Sequence, residues 1–357
     1  MMWSRYYNVN WVQENASIFH SGSSPHEYTT SMIGNWTVQH IRQQAGLTRP
    51  FFVAAGLRAP HKPSTPAPWY KHLFPHQGVN TSHPAWNNTG LPGKAKWIRD
   101  QPPIFAKEAA GMSSEFVDRW RTLVSVDDLV VAVVDVLTET HALDNTFIFY
   151  SSDHGYHLGE FGLGSGKTHF YEFDSRVPMY IRGPGVQAGT VISNIGGNTD
   201  VAPTFLELAG VAKPAQMDGL SIVPLLKAAG LADRQPTSDH DQLLRRRAES
   251  WTRDTFLVEY TGLSPCVDGH RCNDAANNTY RGLRIFNSTT NLAYVQYTEA
   301  ADWNYQTPYW TELYDLSRDP YQLENIVSTT RGKAIAAELQ PRLEVAWRCA
   351  GPSCKDV

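Results

Sequence analysis

Residues 146–155 read TFIFYSSDHG, a short run of aromatic and β-branched side chains that ends in Asp153, His154 and Gly155. The apolar run has the length and composition of a buried strand in a parallel sheet. Open α/β sheets bind their ligands beyond the carboxyl ends of such strands, and a glycine permits a tight turn there. The stretch therefore predicts an α/β layer with a carboxylate and an imidazole at a strand end.

Further strand and helix signals lie on both sides of this stretch. Towards the amino terminus, 51–56 is a candidate strand, and capping-box spacing at 125–128 predicts a helix that starts there. Towards the carboxyl terminus, 178–182 predicts a strand and 199–210 a helix. This alternation predicts a mostly parallel sheet flanked by helices.

The pattern changes at about residue 248. Four candidate strands and one helix follow, at 255–260, 282–286, 292–297, 312–316 and 333–347. Pro341 is expected to interrupt this helix. A length of 357 residues also favours two units. We therefore predict an α/β domain over 1–247 and a smaller, largely antiparallel subdomain over 248–357.

Composition and charge restrict the class of partner. The chain has 31 basic and 35 acidic residues and a formal net charge of -4, which gives no electrostatic reason to bind nucleic acid. Mean hydropathy is -0.38. No apolar run approaches the roughly 18 residues that span a bilayer, so no membrane partner is expected. Oligomeric state is not predicted by these features.

Glycosylation sequons point to a secreted or lysosomal protein. Six occur, at Asn15, Asn35, Asn80, Asn87, Asn277 and Asn287. The opening residues, however, lack a basic start followed by an apolar stretch, so no signal peptide is visible. Two interpretations remain: the protein stays inside the cell, or its true amino terminus precedes this chain.

The four cysteines form two local pairs. Cys266 lies near Cys272, and Cys349 lies near Cys354. These spacings favour two small disulfide loops near the carboxyl end. A zinc site is the alternative, although the spacings are wider than those of paired Cys-x2-Cys knuckles.

Four side chains are candidates for chemistry. Asp153 and His154 can both coordinate a cation, or Asp153 can simply cap the next turn and leave His154 on the surface. Lys167 follows the glycine-rich segment 159–166 and can reach an anion or remain solvated. His61, flanked by prolines, can donate to an anionic substrate or lie exposed. A metal-binding pair, a lysine and a histidine together fit hydrolysis of a charged ester, but no Gly-x-Ser-x-Gly nucleophile elbow is present.

Several motifs together resemble the sulfatase family, in particular N-acetylglucosamine-6-sulfatases and algal arylsulfatases. They are residues 51–52, 59–63, 119–129, 153–160, Lys167, 171–174, 177–178, 182–185, 217–219, 312–316, 319–320, Asn325 and the pair Cys349 and Cys354. The similarity extends over nearly the whole chain. It implies an alkaline-phosphatase-like α/β fold and hydrolysis of a sulfated carbohydrate or an aryl sulfate.

The resemblance also implies roles for the candidate residues. Asp153 corresponds to a Ca2+ ligand, and His154 occupies the neighbouring ligand position, where many members carry Asn. His61 and Lys167 match positions that bind the sulfate and assist departure of the alcohol. The imidazole at 154 leaves the identity of the metal open, because Ca2+ prefers oxygen ligands.

Two family features are absent from the sequence. Members carry an Asp-Asp pair after their first strand and a Cys/Ser-x-Pro-x-Arg motif whose first residue becomes formylglycine. Asp127 and Asp128 are better interpreted as a helix cap, and the nearest nucleophile pattern, Ser82 to Trp86, ends in Trp instead of Arg. We therefore expect that the chain lacks the amino-terminal part of a sulfatase and is inactive alone.

Two alternative functions remain open. A non-catalytic protein that retains the cleft for a sulfated glycan would need no nucleophile. A phosphatase or phosphodiesterase of the same superfamily would need a Thr or Ser nucleophile and several His and Asp zinc ligands.

Overall fold

The structure, a computed structural model, describes residues 5–12, 17–229, 238–262, 278–299, 302 and 305–356. Its strands and helices are, in chain order, β1 (Asn10–Val12), β2 (Ile18–His20), α1 (Thr29–Ala45), α2 (Lys96–Arg99), α3 (Ala106–Glu139), β3 (Ile148–Ser151), β4 (His157–Leu158), β5 (Ser165–Gly166), α4 (Glu172–Ser175), β6 (Met179–Arg182), α5 (Val201–Leu208), α6 (Val223–Ala229), α7 (Asp239–Glu249), β7 (Thr255–Tyr260), β8 (Thr279–Phe286), β9 (Asn291–Thr298), β10 (Trp310–Asp315) and α8 (Thr330–Arg348).

These elements form two compact units. The first unit combines Met1–Asn80 with Phe105–Ile148, and the second combines Thr81–Ile104 with Phe149–Val357. The sequence predicts a boundary between two folding domains at residue 247, and that boundary stays a prediction.

Helices α1 and α3 form the core of the first unit. Ile41 of α1 packs with Val136 and Leu137 of α3, and all three side chains are buried. Gly34 lets the helices approach closely, because a Cβ there would lie 3.3 Å from Leu129 Cγ. Burial of each such aliphatic side chain stabilises the fold by about 1.5–3 kcal/mol.

The prediction that a helix starts at Ser125 is wrong, because α3 begins at Ala106. Glu108 accepts a hydrogen bond from the backbone N–H of Phe105 at 3.0 Å, which satisfies a donor at the helix start. Ser125 is buried in mid-helix. Asp128 lies on a helical turn and accepts a hydrogen bond from the Tyr70 hydroxyl at 2.6 Å, so it does not cap a helix.

The strand predicted at 51–56 does not form. This segment is irregular, and the side chain of Phe52 is 67% exposed. A strand needs a hydrogen-bonded neighbour, and in the described part of the first unit β1 and β2 pair with each other. Apolar composition alone therefore did not decide the local structure.

The second unit contains the strands predicted around the opening stretch. β3 and β6 pair, which confirms strands at these positions, and Phe149 packs against Phe205 of α5 with ring centroids 4.9 Å apart. The sheet is two-stranded among the described residues. Tyr150 and Tyr180 are consequently exposed, which corrects the expectation of a strand buried on both faces.

A buried ion pair fixes the start of α5. The helix begins at Val201, later than the expected start at 199. The guanidinium of Arg253 donates two hydrogen bonds to the carboxylate of Asp200, and Asp200 also accepts from the N–H groups of Gly197 and Leu220. Because both carboxylate oxygens accept hydrogen bonds, these bonds offset the free-energy cost of burying the charge.

The carboxyl-terminal sheet is an antiparallel meander in the order β10-β9-β8-β7, which confirms the predicted strands. Residues alternate between its faces. Tyr280 and Tyr314 belong to one buried cluster, whereas Leu283 and Leu313 pack with α8 in another. The helix expected to break at Pro341 is continuous from Thr330 to Arg348.

Cys349 and Cys354 form a disulfide with Cα atoms 5.0 Å apart, which confirms one predicted pair and removes zinc as the explanation for it. Cys266 and Cys272 lie outside the described residues. Among the helices that the structure describes, none combines the length and apolar character needed to cross a bilayer.

Candidate functional site

The chain leaves β3 at Ser151 and turns through Ser152, Asp153 and His154. The side-chain amide of Asn198 donates to the carbonyl oxygens of Ser152 at 3.1 Å and Asp153 at 3.0 Å. The Ser152 hydroxyl donates to the carbonyl oxygen of His154 at 2.9 Å. These bonds fix the backbone from which the two candidate ligands extend.

Asp153 and His154 present adjacent donor atoms. Oδ2 of Asp153 lies 3.2 Å from Nε2 of His154, and their side chains are 82% and 31% exposed. Nδ1 of His154 lies 2.7 Å from the carbonyl oxygen of Gly155. A carbonyl only accepts, so Nδ1 carries the proton of this bond, and Nε2 is the ring nitrogen next to the carboxylate. A carboxylate oxygen and an unprotonated Nε2 at this separation can both bind one cation.

The donor chemistry of this pair fits a divalent metal. A carboxylate suits Ca2+, and an imidazole is more typical of transition metals. Ca2+ takes about six to eight oxygen ligands, so the pair supplies only part of such a site.

Gly155 makes the turn after these ligands possible. Its N–H donates to the carbonyl oxygen of Asp174 at 2.7 Å. A Cβ at residue 155 would lie 2.0 Å from the carbonyl oxygen of Phe173, closer than any side-chain carbon can approach. The requirement for glycine here is therefore steric.

Lys167 follows the short hairpin of β4 and β5. His157 pairs with Gly166 across this hairpin, so the register brings the backbone at Lys167 next to Tyr156, two residues after His154. Lys167 is half-buried. The next residue, Thr168, is held by the amide of Asn278, which donates to its carbonyl oxygen at 2.6 Å. The hairpin thus connects Lys167 to the segment that carries Asp153 and His154.

His61 lies in the first unit, in the proline-rich loop. Its side chain is exposed, and Nδ1 lies 2.7 Å from the carbonyl oxygen of Lys62. The Tyr6 hydroxyl and the Ser64 N–H donate to the His61 carbonyl oxygen, and Arg119 donates to that of Pro60. The loop backbone is therefore fixed while the imidazole remains at the surface.

Sequence reasoning missed a buried cluster next to the hairpin. Nδ1 of His157 lies 2.8 Å from Oδ2 of Asp174, and the same oxygen accepts the backbone N–H of His169 at 2.9 Å. All three residues are buried. His157 and Asp174 each lay inside a quoted motif, but their irregular spacing gave no signal that they meet.

Sequence reasoning also missed a buried lysine. The ammonium of Lys94 lies 3.9 Å from the ring centroid of Phe161, 4.1 Å from that of Tyr171 and 4.4 Å from that of Tyr314. Burial lowers its pKa to about 7, although the charge of Glu312 opposes the shift. A lysine in a mixed loop sequence gives no indication of such an environment.

Comparisons with known proteins agree with these features. A family model described as sulfatase matches residues 6–211. The N-acetylglucosamine-6-sulfatases of Bos taurus and Homo sapiens are each 33% identical over 99% of this chain, and the arylsulfatase of Volvox carteri is 30% identical over 92%. The chain spans 61%, 62% and 52% of the length of these relatives, respectively.

Solved structures agree on the fold. The structure of a protein in complex with its substrate D-glucosamine-2-N,6-O-disulfate superimposes with a TM-score of 0.67 at 22% identity, covering 98% of this chain and 74% of that chain. A phosphonate monoester hydrolase from Silicibacter pomeroyi gives 0.66 at 18%, covering 98% and 66%. At these identities the likeness establishes the alkaline-phosphatase-like α/β architecture. Because the family model covers more than half of the residues and relatives align along almost the whole sequence, this chain belongs to the sulfatase family.

Proposed function

We propose that the protein hydrolyses the sulfate ester of a sulfated carbohydrate or an aryl sulfate. The observation that carries this proposal is the pair of Asp153 and His154 at the end of β3, with Lys167 on the adjoining hairpin. The relatives named N-acetylglucosamine-6-sulfatase and arylsulfatase support both substrate classes. Of the two, a 6-sulfated glucosamine is favoured by the higher identity and by the substrate named for the superimposed structure.

Asp153 and His154 would hold one divalent cation, Ca2+ by family resemblance. When bound, such an ion neutralises negative charge on the sulfate oxygens as it builds up. Asn198 contributes by fixing the carbonyl groups of Ser152 and Asp153, so both ligands start from a defined backbone. The exposure of the Asp153 carboxylate leaves room for further ligands and for substrate.

Lys167 and His61 would act on the ester itself. An ammonium beside a sulfate stabilises its charge through Coulomb attraction, and more strongly where water is excluded. An imidazole can donate a proton to the departing alcohol oxygen. The fixed loop backbone around His61 supports such a positioning role.

Formylglycine would supply the nucleophile, and this sequence contains no Cys/Ser-x-Pro-x-Arg motif from which to form it. We therefore propose that the chain alone does not turn over sulfate esters. Loss of a nucleophile typically lowers the rate by several orders of magnitude. Secretion or delivery to the lysosome, supported by the sequons, belongs to the same proposal.

One alternative rests on this missing motif. A protein that keeps the metal pair and Lys167 without a nucleophile could bind a sulfated glycan and release it unchanged. Such a role would preserve the charge complementarity of the site.

One experiment separates the two functions. We expect the purified chain, assayed with 4-methylumbelliferyl sulfate and Ca2+, to show no turnover above the rate of a Lys167→Ala variant. The same chain joined to the amino-terminal region of a relative that carries the formylglycine motif should gain turnover, and Lys167→Ala should lower it at least a hundredfold. Turnover by the chain alone that disappears in Lys167→Ala would overturn the proposed inactivity. Saturable binding of N-acetylglucosamine-6-sulfate, with no turnover even in the joined protein, would favour the alternative.

A further inference from the structure

His157, His169 and Asp174 form a compact cluster inside the second unit. One nitrogen of each imidazole and one carboxylate oxygen lie within 4.8 Å of one another. The residues are 0%, 1% and 2% exposed. Among the residues that the structure describes, no other group of three His, Cys, Asp or Glu side chains converges in this way.

Three neighbouring elements bring these side chains together. His157 lies in β4, His169 follows β5, and Asp174 lies in α4. Oδ2 and Oδ1 of Asp174 lie 2.8 Å and 3.0 Å, respectively, from Nδ1 of His157. It also accepts the backbone N–H of His169, so the donors are already held close before any ligand binds.

We propose that this cluster binds a transition-metal dication of the Zn2+ class. Two imidazoles and one carboxylate are ligands that Zn2+ accepts, whereas Ca2+ and Mg2+ favour sets of oxygen atoms. Zn–N and Zn–O bonds of about 2.1 Å place tetrahedral ligand atoms about 3.4 Å apart. The contacts of 2.8 Å and 3.0 Å between Nδ1 of His157 and the Asp174 carboxylate are somewhat shorter than this distance. No two ligand atoms of the cluster are more than 4.8 Å apart, so no gap must close by more than about 1.4 Å.

The cluster is separate from the pair of Asp153 and His154. Those side chains face solvent at the end of β3, and Ca2+ is the metal expected there. The cluster is enclosed by aromatic side chains: the ring of His169 lies 5.0 Å from that of Trp97, and the ring of His157 lies 5.7 Å from that of Phe173. A low-dielectric enclosure strengthens the attraction between a carboxylate and a dication.

The competing role for the cluster is a hydrogen-bonded anchor of the hairpin that carries Lys167. That role needs only the contacts between Asp174 and the other two residues, and no metal. The two roles differ in whether the ring of His169 contributes to zinc affinity.

The test is a zinc titration of the purified chain after removal of metals on a chelating resin. A chromophoric zinc indicator would report affinity, and inductively coupled plasma mass spectrometry would report stoichiometry. We compare wild type with His169→Gln, which removes one ligand ring, and with His154→Asn, which alters only the exposed pair. We expect one Zn2+ per chain in wild type and His154→Asn, and at least tenfold weaker binding in His169→Gln.

Three results would overturn the proposal: no zinc taken up from a micromolar solution, equal affinity in His169→Gln, or loss of the bound zinc in His154→Asn. Should His169→Gln fail to fold, the imidazole 15N resonances of wild type decide the question. Zinc must then shift ring nitrogens of His157 and His169, and unchanged resonances would reject the site.

Discussion

The ammonium of Lys94 and the carboxylate of Glu312 are joined inside the protein through the hydroxyl of Tyr314. Lys94 donates to this oxygen at 2.8 Å, and the hydroxyl donates to Oε2 of Glu312 at 2.8 Å. Glu312 also accepts from the Tyr171 hydroxyl and from the N–H of Ala95. The network fastens the segment before α2 to strand β10 of the same unit.

This network predicts that stability depends on pH through Lys94. Burial lowers its pKa to about 7 in the folded chain, whereas an unfolded lysine has a pKa of about 10.4. Between pH 7 and 10 the unfolded chain holds a proton that the folded chain has lost, so raising the pH stabilises the fold. Below pH 7 the cost of the buried charge is fully present, on the order of 5 kcal/mol.

The variant Lys94→Met measures this effect. We expect the melting temperature of wild type minus that of Lys94→Met to rise as the pH increases from 7 to 9.5. The matched control is Lys96→Met, because Lys96 is an exposed lysine in the neighbouring helix and pairs with Asp100. For Lys96→Met we expect a difference from wild type that does not change with pH. If the difference for Lys94→Met is equally independent of pH, the prediction is wrong.

Gly155→Ala tests the steric argument at the turn after the metal ligands. The added Cβ would overlap the carbonyl oxygen of Phe173, so we expect a loss of roughly 2–4 kcal/mol in the free energy of unfolding. Gly46→Ala is the control, because Gly46 has helical backbone angles and no neighbour within 4 Å of the added atom. It should be neutral or stabilise by up to about 1 kcal/mol. Urea unfolding measures both, and equal midpoints would reject the argument.

The sequence predicted the parts of the fold that depend on local pattern. The strands β7 to β10 are short runs rich in aromatic and β-branched residues, a composition that sequence reasoning detects. The end of β3 was located because an apolar run stops at two polar residues. The start of α3 was missed because Ser125 resembles a cap in sequence, although the apolar stripe of the helix already continues before it.

Other features depend on partners that the sequence does not place. Segment 51–56 has strand composition, but pairing decides whether a strand forms. Lys94 and Glu312 are far apart in the chain, and their contact follows from the packing of the second unit. The positions of Asp153, His154 and Lys167 on one connected segment agree with the resemblance, while their roles in binding and catalysis stay predictions.

The sequons at Asn80 and Asn87 should differ in glycosylation. Asn80 is exposed, whereas Oδ1 of Asn87 accepts the N–H of Ile104 at 2.6 Å and Nδ2 donates to the carbonyl oxygen of Ile104 at 3.2 Å. A glycan on Nδ2 would compete with the second bond. We expect glycopeptide mass spectrometry of protein secreted from a glycosylating host to find Asn80 occupied and Asn87 bare.

Substitution tests the role of the Asn87 side chain independently. Asn87→Gln should lower the free energy of unfolding by about 1–3 kcal/mol, because it removes two hydrogen bonds to backbone. A glycan found on Asn87 in the folded, secreted protein would contradict the interpretation.

Calcium should stabilise the second unit through Asp153. Ligand that binds only the folded chain raises its stability by about 1.4 kcal/mol when present at tenfold excess over the dissociation constant. We expect millimolar Ca2+ to raise the melting temperature of wild type and excess chelator to reverse the effect.

Asp153→Asn should lose most of this shift, because it removes the negative charge of the pair. His154→Asn should retain it, because an amide oxygen suits Ca2+ at least as well as an imidazole nitrogen. Lys167→Ala, which removes a cation from the adjoining hairpin, controls for general effects on the segment and should not reduce the shift. If Asp153→Asn responds to Ca2+ as wild type does, the ion binds elsewhere and the proposed ligand role of Asp153 is wrong.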